Sequence, residues 1–433
     1  MYLSTDEQTI EDLGIFGRTS GSGIYDIYNS LHTRGGESLL QEMFRTPLSD
    51  RDTINRRSSI IEHFANLNAP FPFKASLFDT IEKYLAAADE TGKSQYHQTT
   101  LGENEIQLGV AAVIELIRLI TEFVGIPGIK AMDAYADERT AISILLADAA
   151  FQPVHKEQPK GKLAYGAVTA YDGLFRIREK RKLEKLLGHI YYLDVYMSVA
   201  KTAVERNFVF PRALDKGRCE LRLEGVYHPS LQQPVGNDIR MDTTRNVIFL
   251  TGANMAGKST FLRAISTALY VAHMGFPVAA TAMEFSVMDG IYTTINLPDN
   301  LGIGASHFYA EVVRVKKMAK ELNAGKSLFV LFDELFRGTN VKDAHEATVA
   351  VTSGFAEKGN SLFLISSHIV EAGESLKIKK NIGFLFLPTR MNGRMPEYTF
   401  KLEEGITDDR HGMIIIRNEG ILEILKNGKK SAR

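Results

Sequence analysis

The sequence predicts an α plus α/β protein: a helical domain over residues 13–219, then an α/β domain over residues 220–420, with short tails at 1–12 and 421–433. Three observations predict it. Apolar residues recur at helical spacing through the first half, and short apolar or β-branched runs separated by helical stretches fill the second. One of those runs leads directly into a glycine-rich loop.

In the first half, Ser49 stands where it can cap a helix with Asp52 at its third position, and Ile54, Ile61 and Phe64 or Ala65 then fall on one face. Val113, Leu116, Ile117, Ile120 and Val124 form a second stripe, with Glu115, Arg118 and Glu122 placed to face away. A third helix is expected over Lys182 to Ala200, with Leu183, Leu186, Ile190, Leu193 and Met197 as its buried stripe. Core packing is the ordinary role of such stripes. The polar, glycine-punctuated stretches from Asp89 to Glu105 and from Gln152 to Tyr171 read as loops.

After Glu220 the texture changes. Val247 to Leu250, Ser327 to Phe332 and Ser361 to Ile365 are continuous apolar runs alternating with helical patterns, the signature of a parallel sheet covered on both faces. The closing KNGKKSAR reads as a basic tail.

Composition bounds what such a chain does. At 433 residues it exceeds one ordinary domain, and 44% hydrophobic with 24% charged residues is globular composition. Lys+Arg 51 against Asp+Glu 52 leaves a formal net charge of -1, so any contact with a polyanion must come from a local patch. Cys219 is the only cysteine, which excludes an intramolecular disulfide and a cysteine metal cluster and fits a reducing compartment. The acidic start MYLSTDEQTIEDLG lacks the basic and apolar regions of a signal peptide, and the apolar stretch from Ile106 to Val124 is interrupted by Glu115 and Arg118. A soluble cytoplasmic protein with no membrane partner is expected.

The chemistry concentrates in the second half. Gly252-Ala253-Asn254-Met255-Ala256-Gly257-Lys258-Ser259, continued by Thr260, fits G-x-x-x-x-G-K-[ST] between a strand and a helix. Backbone N–H groups freed by the glycines wrap a phosphate chain, and the helix directs its positive end at the same anion. Lys258 is placed to reach the β and γ phosphates and Ser259 to ligate Mg²⁺, so ATP and Mg²⁺ are the expected ligands. The run Leu328 to Phe332 delivers Asp333 and Glu334 at its carboxyl end. Asp333 is the expected metal partner, and Glu334 the group acting on the attacking water. Ser361 to Ile365 ends in Ser366-Ser367-His368, which makes His368 a γ-phosphate contact.

These residues carry a resemblance. TGANMAGKSTFLR from Thr251, LFDELFRGTN from Leu331, Ser366 to His368 and GIGASHFYAEV from Gly302 together resemble the MutS family of DNA mismatch-repair ATPases, within the ABC ATPase superfamily. Upstream, TRGGESLL from Thr33, Pro47 to Asp50 and Ile54 to Arg57 resemble the start of that family's helical core or lever domain. GVYHPSL from Gly225 and YTFKLEEGITDDRHGM from Tyr398 resemble the entry to and exit from its ATPase domain. The resemblance implies a homodimer through the ATPase domains, in which Ser306 reaches the γ phosphate bound by the partner and Gly338, Thr339 and Asp343 line the boundary.

Departures from the family pattern shape the expectation. The chain opens near the helical core, without the mismatch-recognition and connector domains, so mismatch sensing of its own is not expected, and the helical half leaves little room for a DNA clamp. The Phe-x-Glu at Phe355-Ala356-Glu357 falls in a helical stretch and reads as coincidence. Ala253 and Ala256 replace a Pro and a Gly of the usual loop, and His307 and Tyr309 replace Thr and Met of the signature. Val235 stands near the position where the family presents an aromatic to adenine, which leaves base selectivity open. The helix that locks the family's dimer is cut to about Ile421 to Leu425.

Arg176, Arg178, Lys180, Arg181, Lys182 and Lys185, with Tyr165, Tyr171 and Phe175 interleaved, form the densest basic cluster, which reads equally as a phosphate-tracking patch or as the solvated face of a helix. The resemblance to the MutS family is what implies DNA contact there, without mismatch specificity. The expected function is therefore an ATP-dependent DNA-binding ATPase of mismatch repair or recombination, whose hydrolysis switches helical arms. The alternative is a slow nucleotide-gated protein that assembles with protein partners or branched DNA. A transporter ATPase subunit shares the phosphate chemistry but not the helical half or the GASHFYAE segment.

Overall fold

A computed structural model describes residues 1–17, 21–87, 101–157, 163–253, 255–295, 297, 307–392, 395–407 and 420–427. The chain, of mixed helix and sheet content, divides into two compact units. One comprises Met1–Tyr25, Thr46–Asn55 and Asn207–Arg433, the other Asp26–Arg45 and Arg56–Arg206. The division therefore departs from a single boundary near residue 220. Residues 1–12, expected as a tail, also belong to the sheet-containing unit.

The second unit is helical. Its longest helix, Lys180–Arg206, buries Leu183, Leu186, Ile190, Leu193 and Met197 as the spacing predicts. Val113, Leu116, Ile117 and Ile120 are buried on Glu103–Gly125, whose Glu105 carboxylate accepts the Gly102 N–H at 2.9 Å. Asp194, fully buried on the long helix, accepts from Thr33 N at 2.8 Å and Thr33 Oγ1 at 2.7 Å. Thr33 Oγ1 in turn accepts the Gly36 N–H at 3.0 Å, which satisfies the start of Arg34–Arg45. Helix Arg51–Leu67 is capped by Asp50, which accepts from Thr53 N at 2.9 Å, and not by Ser49. The Ser49 hydroxyl is buried and donates to the Met288 carbonyl at 2.7 Å, leaving the adjacent carboxylate as the available acceptor.

The sheet-containing unit holds strands β1 (Arg212–Leu214), β2 (Leu221–Val226), β3 (Asn237–Met241), β4 (Val247–Gly252), β5 (Ala282–Ser286), β6 (Gly290–Thr294), β7 (Leu328–Phe332), β8 (Leu362–Ser366), β9 (Ile382–Leu387), β10 (Thr389–Asn392), β11 (Met395–Tyr398) and β12 (Glu403–Glu404). Six form one sheet in the order β12-β9-β4-β8-β7-β6. It is parallel except for β12. A four-stranded sheet, β1-β5-β2-β3, and the hairpin β10-β11 complete the strands. Every residue of β4, β7 and β8 is buried, as continuous apolar runs require of a sheet covered on both faces.

Phe355 stacks on Phe363 at 4.6 Å and on Phe332 at 6.0 Å, both nearly parallel. The Phe-x-Glu that begins at Phe355 therefore supplies a core ring. Among the described residues no helix is long and apolar enough to cross a membrane.

Candidate functional site

The site forms at the carboxyl ends of β4, β7 and β8. Parallel pairing of β7 with β8 sets Phe332 opposite Ile365, so Asp333 and Ser366 emerge as neighbours. Ser366 Oγ donates to Asp333 Oδ1 at 2.5 Å and accepts the Glu334 N–H at 3.0 Å. From the other side, Ser259 Oγ donates to Asp333 Oδ2 at 2.5 Å. Asp333 N–H donates to the Thr294 carbonyl of β6 at 2.8 Å, which fixes the acid's backbone against the neighbouring strand.

Between β4 and helix Lys258–Ala272 runs the glycine-rich loop. Gly252 has φ +148° and Gly257 φ +97°, conformations that side-chain-bearing residues rarely adopt. A Cβ on Gly257 would also sit 3.0 Å from the Phe400 ring. Lys258 is buried, and its ammonium donates to the Gly252 carbonyl at 2.7 Å and the Ala253 carbonyl at 3.0 Å. Burial lowers the Lys258 pKa, and the Glu334 and Asp333 carboxylates oppose that shift.

Glu334 has φ +58°, a conformation that costs a non-glycine residue of order 1–3 kcal/mol and concentrates at functional positions. Its Oε1 lies 2.6 Å from His368 Nε2, and its Oε2 accepts from Arg337 Nη1 at 2.6 Å. His368 first, then Arg337, lower the Glu334 pKa to about 2 against an opposing effect of burial. The carboxylate is thus ionised throughout the neutral range.

Beside the loop lies a cavity of about 210 Å³ lined by Tyr227, His228, Val235, Phe261 and Phe400, with Thr260 at its edge. Asn237 holds the wall by donating to the Phe400 carbonyl at 2.9 Å and accepting the Leu402 N–H at 2.8 Å. Burial, then the nearby Arg263 charge, lowers the His228 pKa, which favours the neutral ring. Val235 does line this cavity, but Phe400 and Tyr227 bring aromatic faces to it.

Lys258, Ser259, Asp333, Glu334 and His368 are thus brought together. Asn254 and Ser306 lie outside the described residues. Gly338 and Asp343 are exposed and Thr339 half-buried. Sequence reasoning gave no role to Ser366, Arg337 or Phe400. A hydroxyl ending a buried strand parallel to the one carrying Asp333 was the signal for the first. The other two act through a turn and a long-range approach that spacing does not encode.

The basic cluster divides. Arg176 pairs with Asp172 at 2.5 Å, Lys182 with Asp148 at 2.6 Å and Glu179 at 2.7 Å, and Lys180 is poorly exposed beside Glu184. Arg178, Arg181 and Lys185 are exposed. Tyr171 and Phe175 are buried and stack on each other at 5.5 Å, so they do not interleave the surface patch, whereas Tyr165 is exposed. Their place in the helical core removes the expected stacking role.

A glycine-rich loop between a parallel strand and a helix, with an acid at the end of the second strand along, is the arrangement of a P-loop α/β domain. The family model described as MutS domain V matches residues 248–432. A DNA mismatch repair protein MutS of Fusobacterium nucleatum is 29% identical over 57% of this chain and 28% of its own length. The one from Streptococcus suis is 28% identical over 59% of this chain and 31% of its own. The one from Petrotoga mobilis is 23% identical over 99% of this chain and 64% of its own. The match to MutS domain V thus covers the later part of the chain, and the chain spans under two thirds of the length of each of these relatives.

Proposed function

We propose that this chain hydrolyses ATP and uses the turnover to switch helical arms that contact DNA, in mismatch repair or recombination. The observation that carries the reading is the convergence of Ser259, Ser366 and the Glu334 backbone on Asp333 at the mouth of the glycine-rich loop. Lys258 neutralises the β and γ phosphates, exchanging its bonds to the loop carbonyls for bonds to phosphate oxygens. Glu334 orients the attacking water and accepts its proton, and His368 stabilises charge on the γ phosphate. The cavity beside the loop accepts the base, with Phe400 as a stacking face.

The donor set fits Mg²⁺. Among the described residues no cluster of three or more His, Cys, Asp or Glu side chains forms a protein cage. One hydroxyl and one carboxylate, completed by nucleotide phosphates and water, is how this cation is ordinarily held. When bound it neutralises phosphate charge, and Ser259 and Asp333 are the residues that hold it. Ser306 completes a neighbour's site in a homodimer.

DNA contact falls to Arg178, Arg181 and Lys185, and it is not mismatch-specific. Phe332 and Phe355, the phenylalanines of the two Phe-x-Glu triplets, are both locked in the core and unavailable as a wedge. Steady-state ATP hydrolysis by the purified protein, without DNA and then with homoduplex, mismatched and branched DNA at fixed low salt, tests the whole reading. Stimulation equal for matched and mismatched duplex supports it. A rate indifferent to every DNA removes the DNA half.

A second reading, slow turnover by a nucleotide-gated assembly protein, is favoured by one observation. Both Glu334 carboxylate oxygens are already engaged, by His368 and Arg337. Tight ATP binding with turnover near zero, rising when Arg337→Ala frees one oxygen, would select this reading.

A further inference from the structure

The segment Leu3 to Asp12 is stitched to the outer edge of the six-stranded sheet. Ser4 pairs with β6, donating its N–H to the Asp289 carbonyl at 2.8 Å and accepting the Ile291 N–H at 3.0 Å. Asp6 caps helix Glu7–Asp12 through the Thr9 N–H at 3.0 Å. Asp12, buried, accepts from Thr293 Oγ1 at 2.9 Å and from the Ile295 N–H at 2.8 Å, both at the carboxyl end of β6.

A second set of bonds leaves the same segment. Arg314, on helix His307–Asn323, is nearly buried and donates to both Asp6 carboxylate oxygens, at 3.0 and 3.2 Å. Its Nε donates to Thr294 Oγ1 at 2.6 Å and to the Thr293 carbonyl at 3.1 Å. Lys317, one turn on, also reaches Asp6, at 2.7 Å. The Thr294 carbonyl accepts the N–H of Asp333. Asp6 is thus connected through Arg314 and Thr294 to the acid of the proposed site, and to the helix that begins one residue after Ser306. Burial alone would raise the Asp6 pKa, and the bonds from Arg314 and Lys317 overcome it, holding the carboxyl well below its usual range.

We infer that Asp6 is a positioning residue for ATP hydrolysis. By fixing Arg314 it sets the end of β6 that holds Asp333 and the placement of helix His307–Asn323. An unpaired, nearly buried guanidinium would recruit water or turn outward, releasing its bonds to Thr293 and Thr294 of β6. The phosphate-binding loop lies on β4, two strands further in than β7, so nucleotide binding is left largely alone. The inference rests on the hydrolytic reading proposed above.

The test is steady-state ATP hydrolysis with ATP and Mg²⁺ each titrated, on wild type, Asp6→Asn, Arg314→Gln and the double variant. Asp6→Asn should lower kcat about ten-fold with KM for ATP within about two-fold, and raise the Mg²⁺ needed for half-maximal rate. The double variant should be no slower than Arg314→Gln alone, because Asp6 acts through Arg314. A merely structural role would lower thermal stability without this kcat and Mg²⁺ signature. Wild-type kcat and Mg²⁺ dependence in folded Asp6→Asn overturns the inference, as do effects that simply multiply in the double variant. If Asp6→Asn does not fold, Thr294→Val decides, since it removes only the hydroxyl that accepts from Arg314. It should shift kcat and Mg²⁺ dependence in the same direction, and a wild-type profile overturns the inference. Wild-type protein that binds ATP without hydrolysing it sinks the hydrolytic reading first and takes this inference with it.

Discussion

Glu334 and His368 meet at 2.6 Å from the ends of adjacent parallel strands, and the imidazole is the largest single influence holding the carboxylate ionised. Removing the charge while keeping the shape isolates it. Glu334→Gln should lose about 10² to 10⁴ in kcat and still bind ATP, as a group acting on the attacking water requires. Equilibrium nucleotide binding beside single-turnover hydrolysis checks both halves. Retained turnover would remove Glu334 from the chemistry. With a folded pKa of about 2 against an ordinary 4.5, the stability contributed by this carboxylate is present above about pH 4.5. It is lost only as pH falls towards 2, so an acid limb of activity near pH 6 belongs to another group.

The cavity beside the loop gives a prediction about affinity. Phe400 supplies its aromatic face where Val235 supplies none, and a base stacked on such a ring is worth about 1–3 kcal/mol. Phe400→Ala should raise KM for ATP about ten-fold with kcat nearly unchanged, the mark of binding felt equally in ground and transition states. Val235→Phe should lower it. If Phe400→Ala changes kcat alone, the ring orders the loop and does not hold the base.

Much of this site was legible because it is local. The loop Gly252 to Ser259 is one contiguous motif, and Asp333, Glu334 and His368 each end a continuous apolar run that has little choice but to be a buried strand. The segment Leu3 to Asp12 was illegible for the opposite reason. Its helix Glu7–Asp12 is too short to show an apolar period, and its bonds go to Thr293 and Arg314, 281 and 308 residues away. Charge density likewise gave the basic cluster without its pairing: Asp172 lies one helical turn before Arg176, but Asp148, which engages Lys182, approaches only in the fold.

His273 predicts how stability depends on pH. The ring is fully buried, Nδ1 donating to the Leu269 carbonyl at 2.8 Å and Nε2 accepting the Met288 N–H at 3.1 Å. Burial depresses its pKa from 6.5 to about 4. Below pH 6.5 the unfolded chain takes up a proton that the folded chain refuses until about pH 4, so stability falls across that window by up to about 3 kcal/mol. His273→Leu should cost about 1–3 kcal/mol at pH 7.5 by stranding the Met288 N–H. It should also flatten the slope between pH 6.5 and 4. Urea midpoints across that range decide, and an unchanged slope would assign the effect elsewhere.

Within the helical unit, Asp194 is the residue on which the Thr33 turn depends. Asn at this position keeps the volume but turns one acceptor into a donor: with its oxygen kept towards Thr33 N–H and Oγ1, its amide nitrogen meets the His32 N–H, which is already donating. Asp194→Asn should destabilise by about 2–4 kcal/mol, read as a lower urea midpoint with the slope retained. A midpoint within error of wild type would show that the turn is satisfied by other groups.

The basic patch yields the prediction that separates DNA contact from ordinary solvated charge. Arg181 and Lys185 stand four residues apart on one helix face, and Arg178 ends the π-helical stretch Gly173–Arg178 just before the helix. If each neutralises a backbone phosphate, replacing all three by Ala should reduce the slope of log K against log salt on homoduplex by about 2.7, at 0.9 per contact. Affinity should fall equally for matched and mismatched duplex, because phosphate contacts carry no base information. Arg176→Ala and Lys182→Ala, whose charges are spent on Asp172, Asp148 and Glu179, should leave the slope unchanged. A triple variant with the wild-type slope makes the patch a solvated face. A loss confined to mismatched duplex would mean that these residues read something other than the backbone.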